Sequence, residues 1–235
     1  MSIKNWFLGH IKRKAEEEPV TIAELKKIVE KRMSITNDEF QKGYELIEKY
    51  PRSVSILGSA RFNEDNKYYQ AARSLGYRIA KELKYAVVTG GGPGIMEAAN
   101  RGAYEARGKS LGFTIKLPKE QKVNKYVTEF VEFEYFFSRK TILFFSAECY
   151  VYFPGGFGTL DELLEIVTLI QTKKIPRTPV ILVGREFWQP FIDLMKTKLL
   201  DENETISPDD INIYQIVDSE DEILKIIKNA PFRQE

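Results

Sequence analysis

Pro154-Gly155-Gly156-Phe157-Gly158-Thr159-Leu160-Asp161-Glu162 is the stretch on which the fold turns. The apolar run Cys149-Tyr150-Val151-Tyr152-Phe153 leads into it, and Leu163, Leu164, Ile166, Val167, Leu169 and Ile170 follow at helical spacing. The stretch therefore predicts strand, glycine turn, helix. Three glycines allow close backbone approach and bring N–H groups to one spot. The start of the next helix adds unpaired donors and partial positive charge. Together they make an anion site, most often one for phosphate. Glu162 sits one helical turn in, beside whatever the anion is attached to.

Outward from this point, the chain alternates strand and helix from Pro51 onward. Short apolar strands are expected at 54–58, 85–89, 110–116, 126–133, 149–153, 179–183 and 211–217, with helices between most of them. Nearly all-apolar strands of this length belong to a parallel sheet covered on both faces. In such sheets ligands bind at the carboxyl ends of the strands. Small-residue turns follow three of them, at Gly58-Ser59-Ala60-Arg61, at Gly90–Gly94 and at Gly155–Gly158, so all three are expected to line one crevice.

Residues 1–50 read differently, as a helical extension to a catalytic domain at 51–235. They carry no strand-like run and two capping-box patterns, Thr21-x-x-Glu24 and Thr36-x-x-Glu39, which predict two helices. Ten basic and nine acidic residues are mixed there, which argues against a basic nucleic-acid arm.

Composition narrows the function. Of 235 residues, 29% are charged and 43% hydrophobic, an ordinary globular balance, and the net charge of +1 leaves no nucleic-acid footprint. The single cysteine, Cys149, falls in a predicted strand and reads as a buried, inert thiol. With His10 as the single histidine, a Ser-His-Asp triad or a histidine metal site is excluded, and neither metal nor cofactor is expected. No apolar run reaches membrane-spanning length, and Trp6-Phe7-Leu8 is too short for a signal peptide, so a cytoplasmic location is expected.

Two familiar nucleotide sites fail on particular residues. Gly92-Pro93-Gly94-Ile95-Met96-Glu97 puts glutamate where a dinucleotide fingerprint needs its last glycine, and Ile115-Lys116-Leu117-Pro118-Lys119 has no acidic residue for a ribose hydroxyl. No phosphate loop of the GxxxxGK[ST] type exists either. Gly90–Gly94 reads either as a second phosphate or ribose cradle or as a tight turn with Pro93 in the first helical turn. Thr159-x-x-Glu162 is itself a capping-box pattern, and the glycines before it are what favour a functional glutamate. Glu97 stands in a similar place after its own glycine turn. Arg139-Lys140 follows Phe136-Phe137-Ser138, and arginine suits bidentate contact with phosphate or carboxylate, though a solvated basic pair is the plainer reading. Residues 126–153 hold 11 of the 29 aromatics, most of which must be core.

With Gly90 to Asn100 and Ser138-Arg139-Lys140 in order before it, the PGGxGTxxE match at 154–162 resembles the LOG ("lonely guy") family over residues 52–230. The resemblance implies a Rossmann-like α/β fold, a mostly parallel sheet with helices on both faces. It also implies hydrolysis of the N-glycosidic bond of AMP or a modified AMP, giving free base and ribose 5-phosphate. It places the catalytic pair at Arg139 and Glu162 and the phosphate on Gly155, Gly156, Gly158 and Thr159. Ser59, Gly91, Gly92, Gly94, Glu97 and Lys140 complete the expected substrate-binding set. The implied partners are a nucleoside monophosphate and further copies of the chain, as a homodimer or larger homo-oligomer, without nucleic acid or membrane. The other reading within this fold is a protein that binds nucleotide or molybdenum cofactor without hydrolysis.

Overall fold

The computed structural model of the chain describes residues 20–117 and 122–232. Trp6-Phe7-Leu8, His10 and the Pro118-Lys119 segment lie outside them. The chain divides into two compact units, Met1–Asn37 and Asp38–Glu235.

The larger unit is built on a seven-stranded sheet in which every adjacent pair is parallel. Its strands are β1 (Ser53–Leu57), β2 (Ala86–Thr89), β3 (Ser110–Ile115), β4 (Glu129–Phe133), β5 (Tyr150–Tyr152), β6 (Val180–Leu182) and β7 (Tyr214–Ile216). The helices are α1 (Ile22–Glu48), α2 (Lys67–Arg78), α3 (Ile95–Glu105), α4 (Phe136–Phe145), α5 (Phe157–Gln171), α6 (Arg185–Met195) and α7 (Glu220–Asn229). Strand order is β4-β3-β2-β1-β5-β6-β7. The chain thus walks one way from β1 to β4, then returns to β5 and walks the other way. The switch point lies between β1 and β5, where Leu57 pairs with Tyr152. A crevice opens there because the connections leave in opposite directions.

Alternating side chains feed two cores, one on each face. Leu57, Val88, Tyr150 and Tyr152 join Leu46 and Ile47 of α1, Ile142 and Leu143 of α4, Leu163 and Ile166 of α5, and Trp188 of α6. Val54, Ile56, Val87 and Val151 meet α2, α3 and α7 on the other face. Cys149 is fully buried in this second core, and burial pushes its thiol far up, as expected of an inert residue.

The expected pair of N-terminal helices is one helix. Thr21 and Glu24 do form a capping box, with Thr21 N–H donating to Glu24 Oε2 at 2.9 Å and Glu24 N–H to Thr21 Oγ1 at 3.3 Å. Thr36 instead turns its hydroxyl back to Arg32 O at 2.9 Å, a mid-helix habit. Nothing between Met33 and Asp38 is glycine or proline, so no residue stops the first helix before the second capping pattern begins. Glu39 is used for another purpose: it is buried, and its carboxylate accepts from Glu134 N–H and Ser138 Oγ at the entry to α4. The part of α1 from Asp38 onward therefore groups with the sheet.

Candidate active site

Residues after β1 and β5 converge at the switch point. Ser59 N–H donates to Pro154 O at 3.0 Å and Ser59 O accepts from Ile95 N–H at 3.0 Å, so this one residue ties all three small-residue turns together. Gly94, at φ +71°, allows the contact, since a Cβ there would lie 2.2 Å from Ser59 O.

A cleft of about 730 Å³ opens above the switch point. Gly58 to Phe62, Met96, Phe136, Arg139, Gly155 to Glu162 and Phe187 line it. The helix beyond the glycine turn begins at Phe157, earlier than the expected Thr159, with Gly156 as N-cap and no side chain capping it. The first-turn amides of α5 are thus left for water or a ligand. The glycines differ in their reasons. Gly155 has a packing reason, because a Cβ would meet Thr159 Oγ1 at 2.1 Å. At Gly156 and Gly158 a Cβ would find nothing within 4 Å. Gly158, in the first helical turn, costs stability relative to alanine, and the fold itself has no steric need for either glycine. Both line the cleft.

Arg139 and Glu162 meet at the floor. Arg139 Nη1 donates to Glu162 Oε1 at 2.9 Å, with side-chain exposures of 8% and 12%. Arg139 Nε donates to Phe113 O at 2.8 Å, so the guanidinium is fixed from two sides. Gly90 makes the room, since a Cβ there would lie 2.7 Å from Arg139 Nη2. Burial raises the Glu162 pKa above the ordinary glutamate value, and the Arg139 charge opposes that only in part. Glu162 caps nothing; its carboxylate is turned to Arg139, so the capping-box reading of 159–162 does not hold.

Five expected residues, Gly91, Gly92, Gly94, Glu97 and Lys140, do not line the cleft, and Gly94 serves the contact with Ser59 described above. Gly91 and Gly92 line a second, smaller cavity of about 80 Å³ with Thr114, Lys122 and Val123, and only Met96 and Arg139 border both spaces. The three turns therefore do not share one crevice. The Gly90–Gly92 turn is held by a buried amide network: Gly91 N–H donates to Thr89 Oγ1 (2.9 Å), and Asn124 Nδ2 donates to Gly92 O (3.0 Å) and Asn100 Oδ1 (2.9 Å). Glu97 is on α3 as expected, but Tyr69 Oη donates to it at 3.4 Å and it is not among the cleft-lining residues. Lys140 lies one residue past Arg139 and turns along α5 to pair with Asp161 at 3.1 Å and with Glu165. Sequence reasoning did not single out Arg61, Phe62, Phe157 or Phe187. Phe157 is 92% exposed at the rim, and the motif position it occupies was the one signal for it.

The chain is thus a Rossmann-like protein with a parallel α/β sheet, a glycine turn and a buried Arg–Glu pair in one cleft at the sheet's switch point. Residues 96–227, more than half of the chain, match the family model described as "possible lysine decarboxylase", and the chain belongs to this family, the LOG family. Among its relatives is the cytokinin riboside 5′-monophosphate phosphoribohydrolase LOG5 of Arabidopsis thaliana. It is 24% identical over 54% of this chain and 56% of its own length. The enzyme of the same description from Rhodococcoides fascians is 23% identical over 62% and 75%. The matched part thus spans little more than half the length of the first relative. The molybdenum cofactor binding protein of Rippkaea orientalis shares the fold, with a TM-score of 0.54, 24% identity, and coverage of 75% of this chain and 93% of the other. A molybdenum cofactor carrier protein of Chlamydomonas reinhardtii does likewise, at a TM-score of 0.53, 23% identity, and coverage of 76% and 96%.

Proposed function

We propose that the protein hydrolyses the N-glycosidic bond of a nucleoside 5′-monophosphate, AMP or an N6-modified AMP, to free base and ribose 5-phosphate. The observation that carries this reading is the Arg139–Glu162 pair, buried within one cleft with the open Gly156–Gly158 backbone. The relatives' phosphoribohydrolase activity points the same way.

The chemistry follows from the placement. The 5′-phosphate docks on the first-turn amides of α5 and fixes the sugar, so binding energy far from the reacting bond orients it. Breaking the bond at C1′ leaves an oxocarbenium-like ribose. Glu162, about one and a half turns along the same helix, faces that carbon as a carboxylate that stabilises positive charge or takes a proton from the attacking water. Water adds its oxygen to C1′, the base leaves with the bonding pair, and a proton reaches the base nitrogen. Arg139 holds Glu162 in place and supplies the site's buried cation.

Decarboxylation through a pyridoxal Schiff base needs a lysine amine in the site. No lysine lines this cleft among the described residues, and Lys140 is engaged by two carboxylates.

The test is incubation of the purified protein with AMP, with adenine and ribose 5-phosphate as products. Glu162→Gln is expected to abolish release while the fold survives, and near-normal turnover in that variant would sink the assignment. Arg139→Ala is expected to lose activity as well. Tight AMP binding by the wild type without turnover would favour the binding or carrier reading instead.

A further inference from the structure

Glu39 is a carboxylate only 4% exposed, on a helix that lines no part of the cleft and precedes the family-matched span. A buried charge is tolerated only where its oxygens are hydrogen-bonded. Both oxygens are: one accepts from Glu134 N–H and the other from Ser138 Oγ. These donors bracket the first turn of α4, and Ser138 is the residue before Arg139. A negative charge is also favoured at that helix end.

One turn further along α1, Gly43 lets the helix approach α4 more closely than any side chain would, since a Cβ there would lie 2.7 Å from Ile142 Cγ1. At the end of α1, Tyr50 Oη donates to Glu129 of β4. So α1 and the residues just after it meet the β4–α4 segment at three points, and the first of them, Glu39, is at Arg139's own turn. Arg139 in turn spans the gap to Phe113 O and Glu162.

We propose that Glu39 is a positioning residue that fixes the first turn of α4 and thereby sets the Arg139 guanidinium against Glu162. This rests on the reading of Arg139 and Glu162 as the reacting pair. With the carboxylate gone, Glu134 N–H loses its acceptor, the Ser138 hydroxyl is left with Tyr135 O at 3.0 Å, and the first turn is no longer tied to α1. A shift of about 1 Å at Arg139 is enough to lower turnover severely.

The experiment compares the full-length wild type with Glu39→Gln, which keeps the shape but replaces one acceptor oxygen with an NH₂ donor. The expected result is a kcat for AMP lower by about tenfold or more, with KM within about twofold, a split that marks loss of an interaction used in the transition state. Thermal unfolding should show that the variant is folded. Independently of turnover, the Arg139 Nε–H resonance, assigned by its loss in Arg139→Lys, is expected to move in Glu39→Gln. A folded variant with wild-type kcat, or an unmoved Arg139 resonance, overturns the proposal. If the wild type itself releases no adenine, that failure falls on the functional reading, and the resonance still decides the positioning. Should Glu39→Gln not fold, Ser138→Ala is read by the same criteria.

Discussion

At the scale of single residues, the three glycines of the 155–158 turn separate folding from binding. Gly155→Ala drives a methyl into Thr159 and should lower stability, by about 1–3 kcal/mol for an overpacked site. Gly156→Ala and Gly158→Ala place a methyl in open cleft, so unfolding curves should stay level, or rise by about 0.4–1 kcal/mol from the stiffer unfolded chain. AMP binding should nonetheless fall on the order of tenfold or more, about 1.4 kcal/mol per tenfold. Calorimetric titration beside thermal melts checks the contrast, and unchanged affinity in both variants would remove the turn from the phosphate site. Glu162 adds a pH signature. Its folded pKa is raised by burial, so its acidic form is the favoured one in the fold. That contribution to stability is full below the unfolded glutamate pKa and is lost as pH rises through the folded value. The melting temperature of Glu162→Gln relative to wild type should therefore improve as pH rises above the ordinary glutamate range. The acid limb of kcat/KM should also lie above the ordinary glutamate range, and a limb at the ordinary value would contradict an ionised Glu162 as the working form. The glycine turn was legible in the sequence because a turn between strand and helix has only one place to point its donors, whereas Arg139 and Glu162 were paired only through the resemblance of the motifs, since residues 23 apart show no contact by spacing. Glu97 and Lys140 were not, because spacing fixes a position on a helix but not the neighbour that claims the side chain.

At the scale of elements, the parallel sheet was legible because β1, β2, β3, β5 and β6 are buried on both faces and read as apolar runs, whereas the edge strands β4 and β7 are only partly buried. The switch point followed only from the pairing order, since nothing local in the chain shows that β5 returns beside β1. The continuity of α1 was hidden for a different reason. A capping pattern is a local option, and a helix already running through it has no cause to stop. Where α1 meets α4, one contact tests the packing. Gly43 is a poor helix former by about 1 kcal/mol against alanine, so propensity alone predicts that Gly43→Ala stabilises. The methyl would however lie 2.7 to 2.9 Å from three carbons of Ile142, a residue with no exposed surface. Overpacking of this kind costs about 1–3 kcal/mol and should win. Gly43→Ala is then expected to lower the melting temperature, and trimming the neighbour in Gly43→Ala/Ile142→Val should recover part of the loss. A more stable single variant would mean that α1 and α4 are not held this closely.

At the scale of the molecule, the question is which part of the N-terminal segment the sheet domain requires. The composition break at Pro51 marks where strands begin, and it is not where the folded unit begins. Leu46 and Ile47, 5% and 6% exposed, sit in the core shared with α4 and β5. Burying two such side chains contributes about 1.5–3 kcal/mol each. A chain starting at residue 51 loses both, together with Gly43's packing and Glu39's two hydrogen bonds, and exposes Ile142 and Leu143. Against a typical total of about 5–15 kcal/mol, that is enough to abolish folding. A chain starting at Asp38 keeps every one of these groups, since all of them lie within Asp38–Glu235. Residues 38–235 should therefore unfold cooperatively within a few degrees of the full chain and release adenine from AMP at a comparable rate. Residues 51–235 should give no cooperative transition by circular dichroism and no release. A folded, active 51–235 fragment would show that α1 is an accessory to this domain. A 38–235 fragment that folds but has lost turnover would place part of the site's support before Asp38.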